Sequence, residues 1–218
     1  MGYREGVTAL PDFQRMPCQG WERAMALELR MAKSGEAEAL EAIRTLLTVI
    51  GEDPDREGLR DTPARILKSW SEVFAGYGHD PARILSTTFD EGEGYQEMVL
   101  LRNIPFHSTC EHHWLPFEGI AHVAYLPSQR VVGLSKLARL VDCFARRLQI
   151  QERMTRQISR SLMAHVAARG AAVLIEAHHG CMSCRGIRKV GASMLTSSYE
   201  GEFQRPERRA EFLALVKA

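Results

Sequence analysis

MVLLRNIPFHSTCEHHWLPFEGIAHVAYL, residues 98–126, holds two apolar runs with a cysteine–histidine cluster between them. Met98 to Phe106 and Ile120 to Leu126 are rich in Val, Leu, Ile and Tyr and are bounded by Pro105, Pro116 and Pro127, so both are expected as β-strands. The connection carries Cys110-Glu111-His112-His113. A second window, His178-His179-Gly180-Cys181, follows another short apolar run, Ala172 to Ala177, expected as a strand that delivers these side chains at its end.

Between the two windows the period changes from strand to helix. Ser135 is expected to open a helix with Leu137, Leu140, Val141, Phe144 and Leu148 on one face. A second helix from about Glu152 places Met154, Ile158, Leu162 and Val166 together and stops at Gly170. One more strand is expected within Arg185 to Phe203. The order is strand–strand–helix–helix–strand–strand, an α+β unit over residues 97–218 behind an all-helical region.

That region is expected over residues 37–96, with residues 1–36 apart from it. Residues 1–20 read as a loose arm, and residues 21–50 as two helical pieces broken near Ser34-Gly35, with Leu40, Ile43, Leu46, Leu47 and Ile50 at apolar spacing. Gly51 to Arg60 is a charged loop. Thr62 as N-cap and Pro63 at the first helical position start a helix to about Gly76, whose Ile66, Trp70 and Phe74 are expected in the core. A Gly- and Asp-containing loop covers residues 78–96.

With 218 residues, 45% hydrophobic and 25% charged, the chain has the composition of a globular protein with one sizeable core. A net charge of +1 argues against a nucleic-acid or acidic-membrane partner. The N-terminus lacks the apolar run of a signal peptide, and no stretch is long enough to span a membrane. Five cysteines, an odd number, argue against a disulfide framework, so a cytoplasmic location with reduced thiols is expected.

Soft thiolates and imidazoles in two windows form the ligand set that a borderline-soft ion such as Zn²⁺ prefers. Cys110-x-x-His113 lets one tight turn aim both side chains at one ion. A third ligand from the second window leaves a position open for water, the mark of a catalytic site, with His112 and His179 left beside it as proton carriers. Cys184 permits another reading: Cys110, His113, Cys181 and Cys184 could close a structural Cys₃His tetrahedron. A third reading makes the cysteines small buried hydrophobes and the histidines surface groups. Spacing alone leaves these open.

Gly133-Leu134-Ser135-Lys136 offers a hydroxyl, a lysine and free backbone N–H groups at a helix N-terminus, with Arg139 one turn on, an arrangement suited to an anion. Ser135 serving only as an N-cap is the simpler alternative. Arg146, Arg147, Arg153, Arg156 and Arg160 read as a solvated or ion-paired face. Glu152 is a carboxylate able to accept two N–H bonds at once, which suits the N1–H and exocyclic amine of guanine.

Several strings resemble those of the GTP cyclohydrolase I family: STCEHH (108–113), GLSKLAR (133–139), RLQIQERMT (147–155) and HGCMSCRG (179–186). So do GEDPDREGLRDTPAR (51–65) and EFLAL (211–215), and the similarity runs in order over residues about 37 to 217. The resemblance implies zinc held by Cys110, His113 and Cys181, with Cys184 and His178 as departures from the common pattern. It implies hydrolytic opening of the guanine imidazole ring of GTP, giving formate and 7,8-dihydroneopterin triphosphate for folate or tetrahydrobiopterin synthesis. It further implies that a zinc-activated water attacks C8, with His112 as the acid for N7 and His179 and Ser135 as residues for proton movements along the path. By the same resemblance Glu152 would take the guanine edge with Leu134 and Gln151 nearby, and Ser135, Lys136, Arg139, Arg185, Arg65 and Lys68 would hold the triphosphate. Ser193 to Ser198 is thinner in threonine than the family pattern, and no role is carried onto it.

The same resemblance implies the T-fold, antiparallel strands with two helices on one face. Five subunits would close a barrel and two rings would stack as a decamer, with active sites between subunits. Two rival readings are a zinc-stabilised binding module with a closed four-ligand site and a T-fold enzyme acting on another purine or pterin.

Overall fold

The computed structural model describes residues 35–90, 95 and 97–218. The arm expected at residues 1–20 and the helical piece expected before Ser34 lie outside the described residues.

The first described helix, α1, is Glu36–Val49, and α2 is Thr62–Val73. Asp61 takes the N-cap position of α2, one residue ahead of Thr62, so Pro63 falls at the second helical position. Ile66, Trp70 and Phe74 are half-buried rather than fully enclosed. Trp70 packs edge-on against Phe74 and against Trp114, with ring centroids 6.0 and 5.2 Å apart. In α1 only Ile43 is buried; Leu46, Val49 and, just after the helix, Ile50 are exposed.

The loop expected at residues 78–96 contains regular structure. A 3₁₀ turn at Ala75–Gly78 leads to α3, Pro81–Leu85, and then to a two-residue strand β1, Thr88–Phe89. Asp80 starts α3, its carboxylate accepting the Ala82 N–H at 2.9 Å, with Pro81 at the first helical position. β1 pairs antiparallel with β4, Val131–Val132, in a small ribbon that leads into the next helix.

The main sheet contains β2 (Val99–Cys110), β3 (Pro116–Leu126), β5 (Leu148–Gln149), β6 (Gly170–His179) and β7 (Ser193–Gly201). Their order is β5-β2-β3-β6-β7, antiparallel except for the short parallel pair of β5 with β2. β2 runs four residues beyond the expected Phe106, and Pro105 lies inside it, paired with Ile120. Proline is tolerated there because β5 meets β2 only at Thr109 and Cys110, which leaves an open edge at Pro105.

Helices α4 (Leu134–Ala145) and α5 (Gln151–Val166) pack on one face of this sheet. Leu137, Leu140, Val141 and Phe144 of α4, with Met154, Ile158 and Leu162 of α5, meet Phe106, Phe117, Val123, Tyr125, Val173 and Ile175 from the strands. Their burial is the main hydrophobic term in stability. Leu148 is not helical as expected. Arg147 turns back so that its Nε donates to Cys143 O at 2.6 Å, α4 ends, and Leu148 joins β5. Likewise α5 stops at Ala167, in left-handed backbone with φ 51°, before Gly170 opens β6. The short α6, Gly180–Ser183, follows β6.

A C-terminal helix, α7 (Pro206–Lys217), covers part of the opposite sheet face through Phe212, against Ala124, Leu126, Ala172 and Leu174. No helix among the described residues is long and apolar enough to cross a membrane.

Candidate metal centre and active site

The strand ends explain why two distant sequence windows meet. β3 lies between β2 and β6, pairing Thr109 with Pro116 and Phe117 with His179. The C-terminal ends of β2 and β6 therefore emerge on the same side of the sheet. Between β2 and β3 the chain makes a tight turn, with Cys110 N–H donating to Leu115 O and Trp114 N–H to Cys110 O, both at 2.8 Å. Trp114 takes φ 54°, a conformation that costs a bulky residue about 1–2 kcal/mol and that the contact with Trp70 helps to hold. After β6, Gly180 lets the backbone pass close to β3: a Cβ there would sit 2.8 Å from Pro116 O.

The ligand atoms of Cys110, His113 and Cys181 all lie within 4.8 Å of one another. Tetrahedral zinc, about 2.3 Å from sulfur and 2.0–2.1 Å from nitrogen, holds its ligand atoms roughly 3.3–3.8 Å apart. Cys110 Sγ and His113 Nδ1 are 3.7 Å apart, so the donor set and the spacing both fit such an ion. Burial first, and then the neighbouring Cys110, push the Cys181 thiol above its ordinary value. Cys184 is exposed and stands outside this group, which leaves three protein donors.

The turn is braced from below. Glu111 forms an ion pair with Arg153, whose Nε also donates to Gln149 Oε1 at 3.0 Å, and Glu111 N–H donates to Gln149 O at 3.1 Å. Arg153, expected on a solvated or ion-paired face, is ion-paired and supports the metal turn. The second Glu111 oxygen is 3.8 Å from His112 Nε2, while His112 Nδ1 is 4.0 Å from Cys110 Sγ. His112 thus sits beside the donors, mostly exposed, with one ring nitrogen facing a carboxylate.

His179 is held more firmly. Its ring stacks on Phe117, with centroids 4.6 Å apart and planes 5° from parallel, and its Nε2 is 2.8 Å from Gln151 Oε1. Burial lowers its pKa below the usual histidine value; Glu152 pulls the other way and His178 adds to the lowering. Glu152, in the first turn of α5, is exposed and has no hydrogen bond or ion pair among the described residues. Gln151 is buried, and its side-chain amide is committed inside the protein.

Gly133 is the N-cap of α4, and Leu134 and Ser135 open the helix with exposed side chains. No side-chain cap hydrogen bond forms there, so the Ser135 hydroxyl is not spent as an N-cap. The cations divide into two groups. Arg146 pairs with Asp142 at 3.9 Å, Arg160 with Glu200 at 3.5 Å, and Arg153 with Glu111. The Lys136 ammonium and the guanidinium groups of Arg139 and Arg185 have no acidic partner among the described residues. Arg185 also lies near enough to Cys181 to favour its thiolate. Arg65 and Lys68 are exposed on α2, with Arg65 paired to Asp61 at 3.2 Å. α2 joins the metal turn through the Trp70–Trp114 contact.

Glu111, Arg153, Phe117 and Thr196 are parts of this site that the sequence reading did not single out. The available signal lay in α5, where Gln151, Thr155 and Ser159 put polar residues at four-residue intervals on a buried stripe. Their partners are the polar residues of β7: Thr155 Oγ1 is 2.7 Å from Thr196 Oγ1, and Ser159 Oγ is 2.8 Å from Ser198 Oγ.

The family profile described as GTP cyclohydrolase I matches residues 39–217. The chain is 53% identical over 186 residues to GTP cyclohydrolase 1 of Brucella canis, covering 85% of this chain and 87% of the relative. A Brucella suis GTP cyclohydrolase 1 is 52% identical over the same length and coverage. A crystal structure of the archaeosine synthase QueF-Like in the apo form matches at TM-score 0.40 and 16% identity, covering 48% of this chain and 93% of that one. On the profile match and the extent of identity, the chain belongs to the GTP cyclohydrolase I family.

Proposed function

We propose that this protein opens the imidazole ring of GTP by hydrolysis, releasing formate and forming 7,8-dihydroneopterin triphosphate at the entry to folate or tetrahydrobiopterin synthesis. The observation that carries the reading is the convergence of Cys110, His113 and Cys181 beside His112, with three donors and no fourth thiol among the described residues. Two thiolates and an imidazole select zinc over harder ions. When bound, zinc supplies the Lewis acidity that makes water nucleophilic near neutral pH.

The protein groups then act around the purine. Addition of water at C8 builds negative charge on the ring nitrogens, and His112 donates a proton at N7. His179 and Ser135 move protons in the later hydrolysis of the formamide, the rearrangement of the ribose and closure of the pterin ring. Glu152, unpaired and at the head of α5, accepts the guanine N1–H and exocyclic amine, while Leu134 and Gln151 offer backbone N–H groups in the first turns of α4 and α5. Lys136, Arg139 and Arg185, joined by Ser135, Arg65 and Lys68, balance a triphosphate of about four negative charges. In this reading residues 97–218 are the catalytic unit, and residues 37–96 contribute Arg65 and Lys68.

Specificity for guanine follows from Glu152. Adenine lacks the N1–H and carries its amine elsewhere, so ATP in the site does not offer Glu152 the two donors that guanine does. Turnover with ATP is expected to be undetectable where GTP is processed, and Glu152→Gln is expected to lose most of that discrimination. Parallel rate measurements on the two nucleotides check this; comparable turnover of both by the unaltered protein removes Glu152 from the role.

The proposed assembly is a homo-oligomer, a decamer of two stacked pentamers with sites completed between subunits. It is supported by the edge of β7, which among the described residues has β6 on one side only, and by the exposed Leu46 and Val49 of α1 with Ile50 just after it. A reducing compartment, the cytoplasm, suits a site that needs Cys110 and Cys181 as thiolates.

A further inference from the structure

We propose that Gln151 is a positioning residue for His179, fixing the imidazole in the tautomer protonated at Nε2 and leaving Nδ1 as the nitrogen that exchanges protons. The inference rests on the function proposed above for the assignment of His179 as a proton carrier. The tautomer itself follows from hydrogen bonding alone.

The orientation of the Gln151 amide is determined by its partners. Gln151 Nε2 lies 3.0 Å from Ile175 O, 2.9 Å from Met194 O and 3.0 Å from Thr196 Oγ1. Two of these partners are carbonyl oxygens, which only accept, so the amide nitrogen must face them; the flipped amide would set oxygen against oxygen. Gln151 Oε1 is therefore the atom 2.8 Å from His179 Nε2, and it also only accepts. His179 must donate, and in the neutral ring this places the proton on Nε2 and the lone pair on Nδ1.

The amide is itself held. Thr155 Oγ1 donates to Gln151 O at 2.7 Å, so its hydrogen is spent there. Thr196 must then donate to Thr155 across 2.7 Å, with its oxygen also facing Gln151 Nε2 at 3.0 Å, whose two hydrogens serve the Ile175 and Met194 carbonyls. Gln151 and Thr155 are each 1% exposed, so no water competes for these bonds, and a misplaced proton would leave a buried polar atom unpaired. Phe117 fixes the plane of the ring by stacking, and Gln151 fixes its rotation within that plane. The segment around Thr196 thus has a task, as the far anchor of the network.

The test uses metal-loaded full-length protein. Gln151→Met keeps the volume of the side chain but removes the acceptor. It is expected to lower kcat for GTP by about 10–100-fold, the usual effect of losing an orienting partner, with KM and bound metal little changed. Unchanged kcat overturns the inference. So does a loss of kcat matched by loss of metal, which would make Gln151 part of the metal cradle. A second measurement needs neither folding of the variant nor turnover. Nitrogen-15 spectra of histidine-labelled protein, with the His179 signals identified by their absence in His179→Asn, are expected to show a protonated Nε2 and an unprotonated Nδ1. The opposite tautomer in the unaltered protein overturns the inference whether or not GTP is the substrate.

Discussion

Cys110→Ser and Cys181→Ser are each expected to strip the metal and abolish turnover, whereas Cys184→Ser keeps most of both. A serine hydroxyl does not ionise near neutral pH as a thiol beside a cation does, and it is a harder ligand than sulfur. With three donors within 4.8 Å of one another among the described residues, losing one leaves two, too few to hold an ion against water and competing chelators. The fall in rate is expected to exceed the roughly 10²–10⁴-fold that removal of a general acid causes. Cys184 is exposed and outside the group, so its replacement removes no ligand. Metal analysis of the purified variants, with circular dichroism as a check on folding, reads the outcome. Loss of metal on changing Cys184 alone would restore the closed four-ligand reading.

The neighbouring histidines are expected to fail differently. His113→Ser deletes a ligand and should release the metal. His112→Ser should retain it and still bind GTP, because His112 touches the donor group only at its margin, 4.0 Å from Cys110 Sγ. Its turnover is expected to fall by about 10²–10⁴-fold, as the charge formed on the ring nitrogens then lacks its proton donor. Chromatography of quenched reactions should reveal an altered purine from which formate has not been released. If His112→Ser loses metal while His113→Ser keeps it, the two roles are reversed.

Much of the architecture was legible because β2, β3 and α5 follow simple periods, and because the donors Cys110, His113 and Cys181 cluster at strand ends. What escaped has identifiable causes. Leu148 keeps helical spacing from Phe144, yet the helix has already ended where Arg147 caps Cys143 O. Pro105 looked like a boundary because a partial open edge on β2 cannot be read locally. α7 was not anticipated, since only Phe212 of its apolar residues is fully enclosed and no clear stripe marks it. Ile66, Trp70 and Phe74 of α2 were expected in the core but are only half-buried, with Trp70 packed on Phe74 and Trp114. In the site, the ligand pattern was legible but its supports were not. Arg153 finds Glu111, and Gln151 finds Thr196, across separations of 42 and 45 residues that no local pattern spans.

The most direct measurement is incubation of the metal-loaded protein with GTP while formate and the ultraviolet absorbance of the product are followed together. The account predicts formate released one-for-one with a new pterin chromophore, and both signals lost after chelation while the fold survives. Phosphate release without formate, or unfolding on chelation with no GTP bound beforehand, would contradict it.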